Sequence, residues 1–359
     1  MNAVESSTPR DYGSAYPRHR VCVIPGDGIG QEVVPEAVRV LAALLPGLDV
    51  VTADAGFGCF QRRGSAVPPE TLEAVAASEA TLFGATASPS SPVQGYRSAI
   101  VTLRKHFRLY GCLRHARSLP LPGSRPGVDV LIVRENTEGL YIGKESSYGD
   151  YAEAVRLISV PASRRVAELA CSLVKQSGRG RITIVHKANI LPLTCGLFRD
   201  TARSTIEAFG GITVDEMLVD TAAMRLAVTP ERFDVILTTN LFGDILSDIA
   251  AGVTGGLGVA ASANVGEPGP AVFEPVHGSA PDIVGQGIAN PVACLRAAAL
   301  LLQHIGEHDV AKALEQAIDR TLAGTILSPD LGGKATTSQV VDEVLRKLEA
   351  TTAAGGTAE

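Results

Sequence analysis

Asp244 and Asp248 stand four residues apart in NLFGDILSDIAAG, so on a helix both carboxylates project from one face near its N-terminal end. Two like charges there repel unless something cationic lies between them. A hard divalent ion with oxygen ligands, Mg²⁺ or Mn²⁺, would relieve that repulsion. The competing reading is a solvated acidic face near the positive end of the helix dipole. Ile245, Leu246, Ile249 and Ala250 make the surrounding helix apolar and favour the metal. Arginines form a second group. Arg97, Arg104 and Arg108 fall at i, i+7 and i+11, on one face of an expected helix that also holds Val101; Arg114 and Arg134 lie in strands that follow. Planar guanidinium forks suit carboxylates, so the set points to a polycarboxylate ligand, against the plainer reading of solvated surface cations. Tyr141 follows a glycine turn and Lys187 ends the strand RITIVHKAN. A lysine there serves as a general base if burial and neighbouring charge lower its pKa, and is otherwise an ordinary surface cation.

These residues need a scaffold. RVCVIPGDGIG reads as a strand entering a glycine turn, followed by a helix with Pro35 in its first turn. GDGIG lacks the full GxGxxG and an acid at the right distance, so by itself it marks only strand, turn and helix. LDVVTADAG, ATLFGATA, VDVLIVR, RITIVHKA, ITVDEMLVD and FDVILTT are further strands, separated by helical patterns such as PASRRVAELACSLVKQ; after FDVILTT, Asn240 and Gly243 read as a break before the helix DILSDIAAG. That alternation predicts an α/β protein with a largely parallel sheet. IGKESSYGDYAEAVRLIS reads as a hairpin around a Gly-Asp turn, able to reach a partner chain. VFEPVHGSAPDIVGQGIANP, rich in Pro and Gly, reads as a binding loop carrying His277, Asp282 and Asn290.

The bulk numbers set limits. With 359 residues and 45% hydrophobic composition, the chain can bury a large core, in two lobes. Net charge is −6 with no basic run, which argues against nucleic acid. The six cysteines are scattered without CxxC and read as buried thiols in a reducing compartment. No apolar run of about 18 residues offers a membrane span. The polar first eighteen residues read as a flexible tail without a signal peptide, as do residues 351–359, and the cytoplasm is the expected location.

GDGIGQEV, RENTEGLY, HKAN, NLFGDILSD and EPVHGSAPDIVGQGIANP, in that order from about Val21 to about Leu348, together resemble the β-decarboxylating dehydrogenases. These include isocitrate, homoisocitrate and 3-isopropylmalate dehydrogenases, and GSRPGVDVLIVRENTEGLY looks closest to the homoisocitrate enzymes. The resemblance implies an isopropylmalate-dehydrogenase-like two-domain α/β fold, not a Rossmann fold, with the active cleft between the domains. Residues 19–113 and 264–350 would form the large domain, and 114–263 the small one, with a dimer clasp at about 142–160. It also implies NAD and Mg²⁺ or Mn²⁺ as cofactors, and a homodimer or dimer of dimers with shared sites. Arg104, Arg114 and Arg134 would hold the malate carboxylates. Asp244 and Asp248 would bind metal with Asp220 of the other subunit. Lys187, also from that subunit, would take the C2 hydroxyl proton, and Tyr141 would protonate C3. His277, Gly278, Ser279, Ala280, Asp282 and Asn290 would line the adenosine half of the NAD site.

Cys112 and His115 in GCLRHA, and Ile100, depart from the family's pattern, and both changes bear on the substrate rather than the reaction. Ser98 suits a polar tail on C3 and Val101 an isopropyl group. Arg97, expected one helical turn before Val101, would tip the balance to an anionic tail. Homoisocitrate, isocitrate or a phosphonate-bearing malate is therefore expected, with 3-isopropylmalate as the alternative. A non-catalytic regulatory subunit of a heteromeric isocitrate dehydrogenase is the alternative of another class. The retained acids, Lys187, Tyr141 and arginines speak against it.

Overall fold

The computed structural model describes residues 19–355, with side chains described through residue 350. The expected N-terminal tail, residues 1–18, and residues 356–359 lie outside the described residues. In chain order the elements begin with β1 (His19–Gly26), α1 (Gly30–Leu44), β2 (Leu48–Thr52), α2 (Phe57–Arg63), α3 (Pro69–Ala76), β3 (Ala80–Ala85) and α4 (Ala99–His106). The middle of the chain forms β4 (Gly111–Arg117), β5 (Asp129–Glu135), β6 (Glu145–Ser147), β7 (Ala152–Ala154), α5 (Val160–Ser177), β8 (Arg181–His186), α6 (Thr194–Phe209), β9 (Thr213–Leu218), α7 (Val219–Val228), β10 (Val235–Thr238) and α8 (Asn240–Thr254). Then come β11 (Ala261–Val265), β12 (Ala271–Pro275), α9 (Val292–His304), α10 (His308–Leu322) and α11 (Thr337–Gly355). Helix α11 takes in residues 351–355 of the expected C-terminal tail.

Ten strands form one sheet in the order β2-β1-β3-β12-β11-β4-β5-β10-β8-β9. The outer strands pair in parallel, as the alternation of strands and helices requires. The centre does not: β12–β11, β11–β4 and β4–β5 are antiparallel. One half of the sheet thus comes from the two chain ends and the other from the chain middle. Helices cover both faces. Val33, Leu41, Leu295, Leu302 and Leu314 build one core from α1, α9 and α10, while Val166, Phe198 and Ile206 build another from α5 and α6.

Two sequence expectations need correction. Val272–Pro275, read as loop, belongs to β12, a fully buried strand between β3 and β11. A strand buried on both faces shows no alternation, and the Pro and Gly that follow it masked the short apolar run. The expected long arginine face does not form either. Helix α4 begins after Ser98 and ends at Phe107, and Arg108 sits at φ +51°, in the left-handed region that stops a helix. Arg97 and Arg108 therefore flank α4 rather than share its face, and Arg97 is not one turn before Val101.

Close approach of β3 to β1 depends on Gly84. A Cβ there would overlap the Pro25 carbonyl and lie 2.9 Å from Val34 Cγ2. Gly84→Ala should cost about 1–3 kcal/mol, as overpacked cores do. Urea unfolding followed by circular dichroism should show the lower midpoint; an unchanged midpoint would mean that the strands have slack here.

Candidate functional site

Helix α8 starts earlier than its apolar periodicity predicts, at Asn240, so Gly243 is helical rather than a break before it. The reason is Arg134. A Cβ on Gly243 would come 2.6 Å from Arg134 Cγ, so only glycine lets the helix settle on this side chain. Arg134, on β5, is 1% exposed. Its Nε and Nη2 donate to Asn240 Oδ1 at 3.0 and 2.6 Å, and its Nη1 to Asp244. Arg114, on β4, donates to Ser247 Oγ at 2.7 Å and to Asp248 Oδ1 at 2.9 Å, and lies 3.4 Å from Asp244 Oδ1. The two acids expected to repel each other are thus held by two guanidinium groups.

Burial pushes the Asp244 carboxyl up, but Arg134, the Tyr141 hydrogen bond and Arg114 outweigh it and leave the pKa below the usual carboxylate range. Burial dominates at Asp248 against Arg114, with Asp244 adding to it, and its pKa is raised. Tyr141 donates its hydroxyl to Asp244 Oδ2 at 2.6 Å, and its ring covers the Arg134 guanidinium at 5.1 Å. Burial first, then the Asp244 carboxylate, raise the phenol pKa and keep it protonated. Tyr141 is therefore held as a hydrogen-bond donor to Asp244.

Arg104 reaches the same area from α4. It is buried, with Nη2 donating to Glu274 Oε1 at 2.9 Å and Nε without an acceptor among the described residues. Glu274 also accepts from Asn264 Nδ2 at 2.8 Å, and Asn136 Nδ2 donates to Asn264 Oδ1 at 3.0 Å. Sequence reasoning missed this support. Its signal was an acid inside the apolar run AVFEP, which only a buried partner would justify.

Asp244 and Asp248 offer hard oxygen donors. Among the described residues Asp248 is bonded through Oδ1, with its side chain half exposed, which fits Mg²⁺ or Mn²⁺. Among the described residues no group of three His, Cys, Asp or Glu side chains gathers to complete a metal site. Asp220 instead pairs with Lys187 at the start of α7, on an exposed surface. The structure brings Tyr141, Asp244, Asp248, Arg114 and Arg134 together, and leaves Lys187 and Asp220 as a separate pair. Ser98, half-buried, makes no side-chain capping bond at the start of α4. Val101 is half-buried beside it, and Arg97 is exposed and makes no ion pair among the described residues.

The loop after β12 is fastened from α1 and the GDGIG turn. Ile29 N donates to Ser279 O at 3.0 Å, and a Cβ on Gly28 would overlap that same carbonyl, at φ +58°. Asp27 accepts from the backbone nitrogens of Phe57, Gly58 and Ala87 at 2.7, 2.8 and 2.9 Å. Glu32 accepts from Gly285 N and Gly287 N at 2.6 and 3.2 Å. Within the loop, His277 Nε2 is buried without a partner among the described residues, Ala280 is left-handed at φ +41°, and Gly278 and Asp282 are exposed. An orphaned ring nitrogen and strained backbone fit a loop that closes on a polar cofactor. Asn290 differs from expectation. Its side chain donates to Asp330 Oδ2 at 2.9 Å and accepts from Val292 N at 3.0 Å, so it is already engaged within the chain.

Residues 20–344 match the isocitrate/isopropylmalate dehydrogenase family. The chain belongs to that family. The isocitrate/homoisocitrate dehydrogenase of Thermus thermophilus is 51% identical over 331 residues, covering 92% of this chain and 99% of that protein. The 3-isopropylmalate dehydrogenase of Methanothermobacter thermautotrophicus is 46% identical, covering 92% and 98%. The crystal structure of isocitrate dehydrogenase from Methylococcus capsulatus superposes with a TM-score of 0.89 at 39% identity, covering 92% of this chain and 99% of that one. The chain is an oxidoreductase of the β-decarboxylating type, on the family's fold rather than a Rossmann fold. The family uses NAD(P) and a divalent metal. No helix among the described residues is long and apolar enough to cross a membrane.

Glu32 is the tie between α1 and the loop. Glu32→Ala should raise amide hydrogen exchange at Gly285 and Gly287 by about tenfold or more, with α1 amides unchanged. Unaltered exchange would mean that the loop holds itself.

Proposed function

We propose that the protein oxidises and decarboxylates a 3-substituted malate bearing an anionic side group, with NAD and Mg²⁺ or Mn²⁺, to a 2-oxo acid and CO₂. Homoisocitrate, isocitrate and a phosphonate-bearing malate fit this description. The observation that carries the reading is Tyr141, protonated and bonded to Asp244 at 2.6 Å, on the carboxylate that Arg134 and Arg114 also meet. A carbanion equivalent left after loss of CO₂ needs a proton donor placed at C3, and a polyanionic substrate needs guanidinium groups. Asp244 and Asp248 would hold the metal, and the His277–Asn290 loop the NAD. Metal and NAD, when bound, supply Lewis acidity at the C2 hydroxyl and a hydride acceptor. Arg104 and Arg114 would orient the malate carboxylates. Asp282 would accept hydrogen bonds from the adenosine ribose and repel a 2′-phosphate, favouring NAD over NADP.

The site as one chain forms it lacks a base and a third metal ligand. Lys187 and Asp220 supply both in this reading, from a second copy. Ile190, Leu193, Met224 and Ile245 are exposed around them, Leu193 at 85%. The β6–β7 hairpin, within the expected clasp, presents Tyr148 and Tyr151, stacked 4.8 Å apart, and Val155 to solvent. Apolar surface of this extent favours a homodimer or a dimer of dimers, built on a large domain of residues 19–113 and 264–350 and a small one of 114–263.

For the C3 group, the Ser98 hydroxyl, which makes no capping bond, and the Arg97 guanidinium, without an ion pair among the described residues, support an anionic tail. Arg97 would act from the loop before α4. Val101, half-buried beside Ser98, is the observation that favours 3-isopropylmalate as a second reading.

Asp248→Asn should keep the fold, since it removes one of two repelling charges, yet weaken Mn²⁺ binding at least tenfold, ~1.4 kcal/mol. Titration of Mn²⁺ by electron paramagnetic resonance checks this; unchanged affinity would mean the acids only decorate α8. A panel of 3-substituted malates with NAD⁺ and Mn²⁺, followed by NADH absorbance, tests the substrate. Homoisocitrate, isocitrate or the phosphonate analogue should give the highest kcat/KM, and Arg97→Ala should lower it for that acid. A preference for 3-isopropylmalate would overturn the anionic tail.

A further inference from the structure

Arg156 lies where four parts of the site meet. Its neighbour Val155 donates from its backbone to Lys144 O at 2.9 Å, at the base of the β6–β7 hairpin. Its other neighbour, Leu157, bridges Gly139, which precedes Tyr141 in the same turn. The half-buried side chain leaves this backbone towards two helices. Nη1 donates to Thr194 Oγ1 at 2.6 Å and to Cys195 Sγ at 3.3 Å, in the first turn of α6. Nη2 donates at 3.2 Å to Oγ1 of Thr239, the residue before α8. The guanidinium also lies 5.4 Å from the centre of the Phe242 ring.

Charge does not account for a cation here. Among the described residues Arg156 bonds to hydroxyls, a thiol and a ring, and to no carboxylate. The starts of α6 and α8 are the positive ends of their helix dipoles, which disfavours a cation further. Geometry does account for it. A planar fork with several donors spans both helices at once, which a compact ammonium does not. Each contact leads to a functional group. Thr194 follows a hydrogen-bonded turn in which Ile190 N and Leu191 N donate to Lys187 O at 3.1 and 2.9 Å. Cys195 N continues it, donating to Leu191 O at 2.9 Å. On the other side, Thr239 O accepts from Gly243 N at 2.8 Å, and the next residue, Asn240, holds Arg134 beside Asp244.

We propose that Arg156 is a positioning residue, a strut that fixes the Lys187 turn against the start of α8. On the reading that Lys187 completes the site of a second copy, the strut couples two sites. One is the site whose metal-binding helix its own chain supplies; the other is the site its lysine enters.

Hydrogen exchange in the metal-free, substrate-free protein tests the strut without turnover. Arg156→Met keeps the apolar stem and removes the fork. Exchange at Leu191, Cys195 and Gly243 should rise together by about tenfold or more, with α5 amides as in wild type. Arg156→Lys, the gentler variant, reaches one helix only and should loosen one segment while sparing the other. Unchanged exchange in both variants, or a rise spread evenly over the sheet, overturns the strut. Hybrid dimers test the coupling. One chain carries Tyr141→Phe and the other Lys187→Ala, so the only intact site joins Lys187 of the first to Tyr141 and α8 of the second. Adding Arg156→Met to the Tyr141→Phe chain should lower kcat of that site about tenfold or more, with KM for the malate little changed. Arg156→Lys in its place should restore part of the loss. An unchanged kcat shows that Arg156 serves its own chain's site alone and overturns the coupling. Failure of the two chains to complement each other removes shared sites and the coupling with them, whereas the exchange result decides the strut in either case.

Discussion

Two carboxylates one helical turn apart on an apolar helix are the constraint that organises this protein. They persist as charges because β4 and β5 run antiparallel, with Arg114 opposite Ile132 and Cys112 opposite Arg134, so that both arginines emerge on the face that α8 covers. Arg134 has no exposure to speak of, and its compensation of Asp244 is correspondingly little screened. Loss of Asp244 would strand the buried charge of Arg134, which is far more costly than losing a surface ion pair. Gly243, Asn240 and the covering ring of Tyr141 are secondary to this pairing, since each occupies the space or the donors that Arg134 leaves.

The same arrangement explains why a single chain looks unfinished. Its cations already neutralise the α8 acids, while Lys187 and Asp220 neutralise each other on an exposed face bordered by apolar side chains. In the proposed assembly both defects are cured together, because a second copy would cover the apolar surface and bring the missing base and acid. Positive charge held by Arg104 is likewise buffered, by Glu274 and the amides of Asn264 and Asn136 behind it. A network of this kind holds a guanidinium still.

The loop after β12 shows a second use of the same economy. Its backbone is tied by Glu32 and by Ile29, and Asp27 gathers three backbone N–H groups from neighbouring segments. GDGIG is therefore a structural turn, and its glycine serves to let the Ser279 carbonyl approach. No phosphate-binding role is needed to account for it.

Much of this was legible in the sequence. Strand and helix alternation, the spacing of Asp244 and Asp248, the arginines of β4 and β5 and the hairpin followed from local periodicity and residue chemistry, which depend on neighbours along the chain, whereas Tyr141 took a role only from the resemblance. The resemblance of five ordered motifs carried the family. What the sequence did not determine were quantities set between segments. Asn240 and Gly243 read as breakers because their partner, Arg134, is over a hundred positions away. β12 looked like loop because a strand flanked on both sides needs no alternating face, and Glu274 became meaningful only opposite Arg104. Arg97 left its expected helix face because Ser98 begins α4 and Arg108 turns left-handed, a choice made by backbone packing. Only the tertiary structure decided which acid meets which arginine, because burial and distance, not residue type, set the strength of a charge pair.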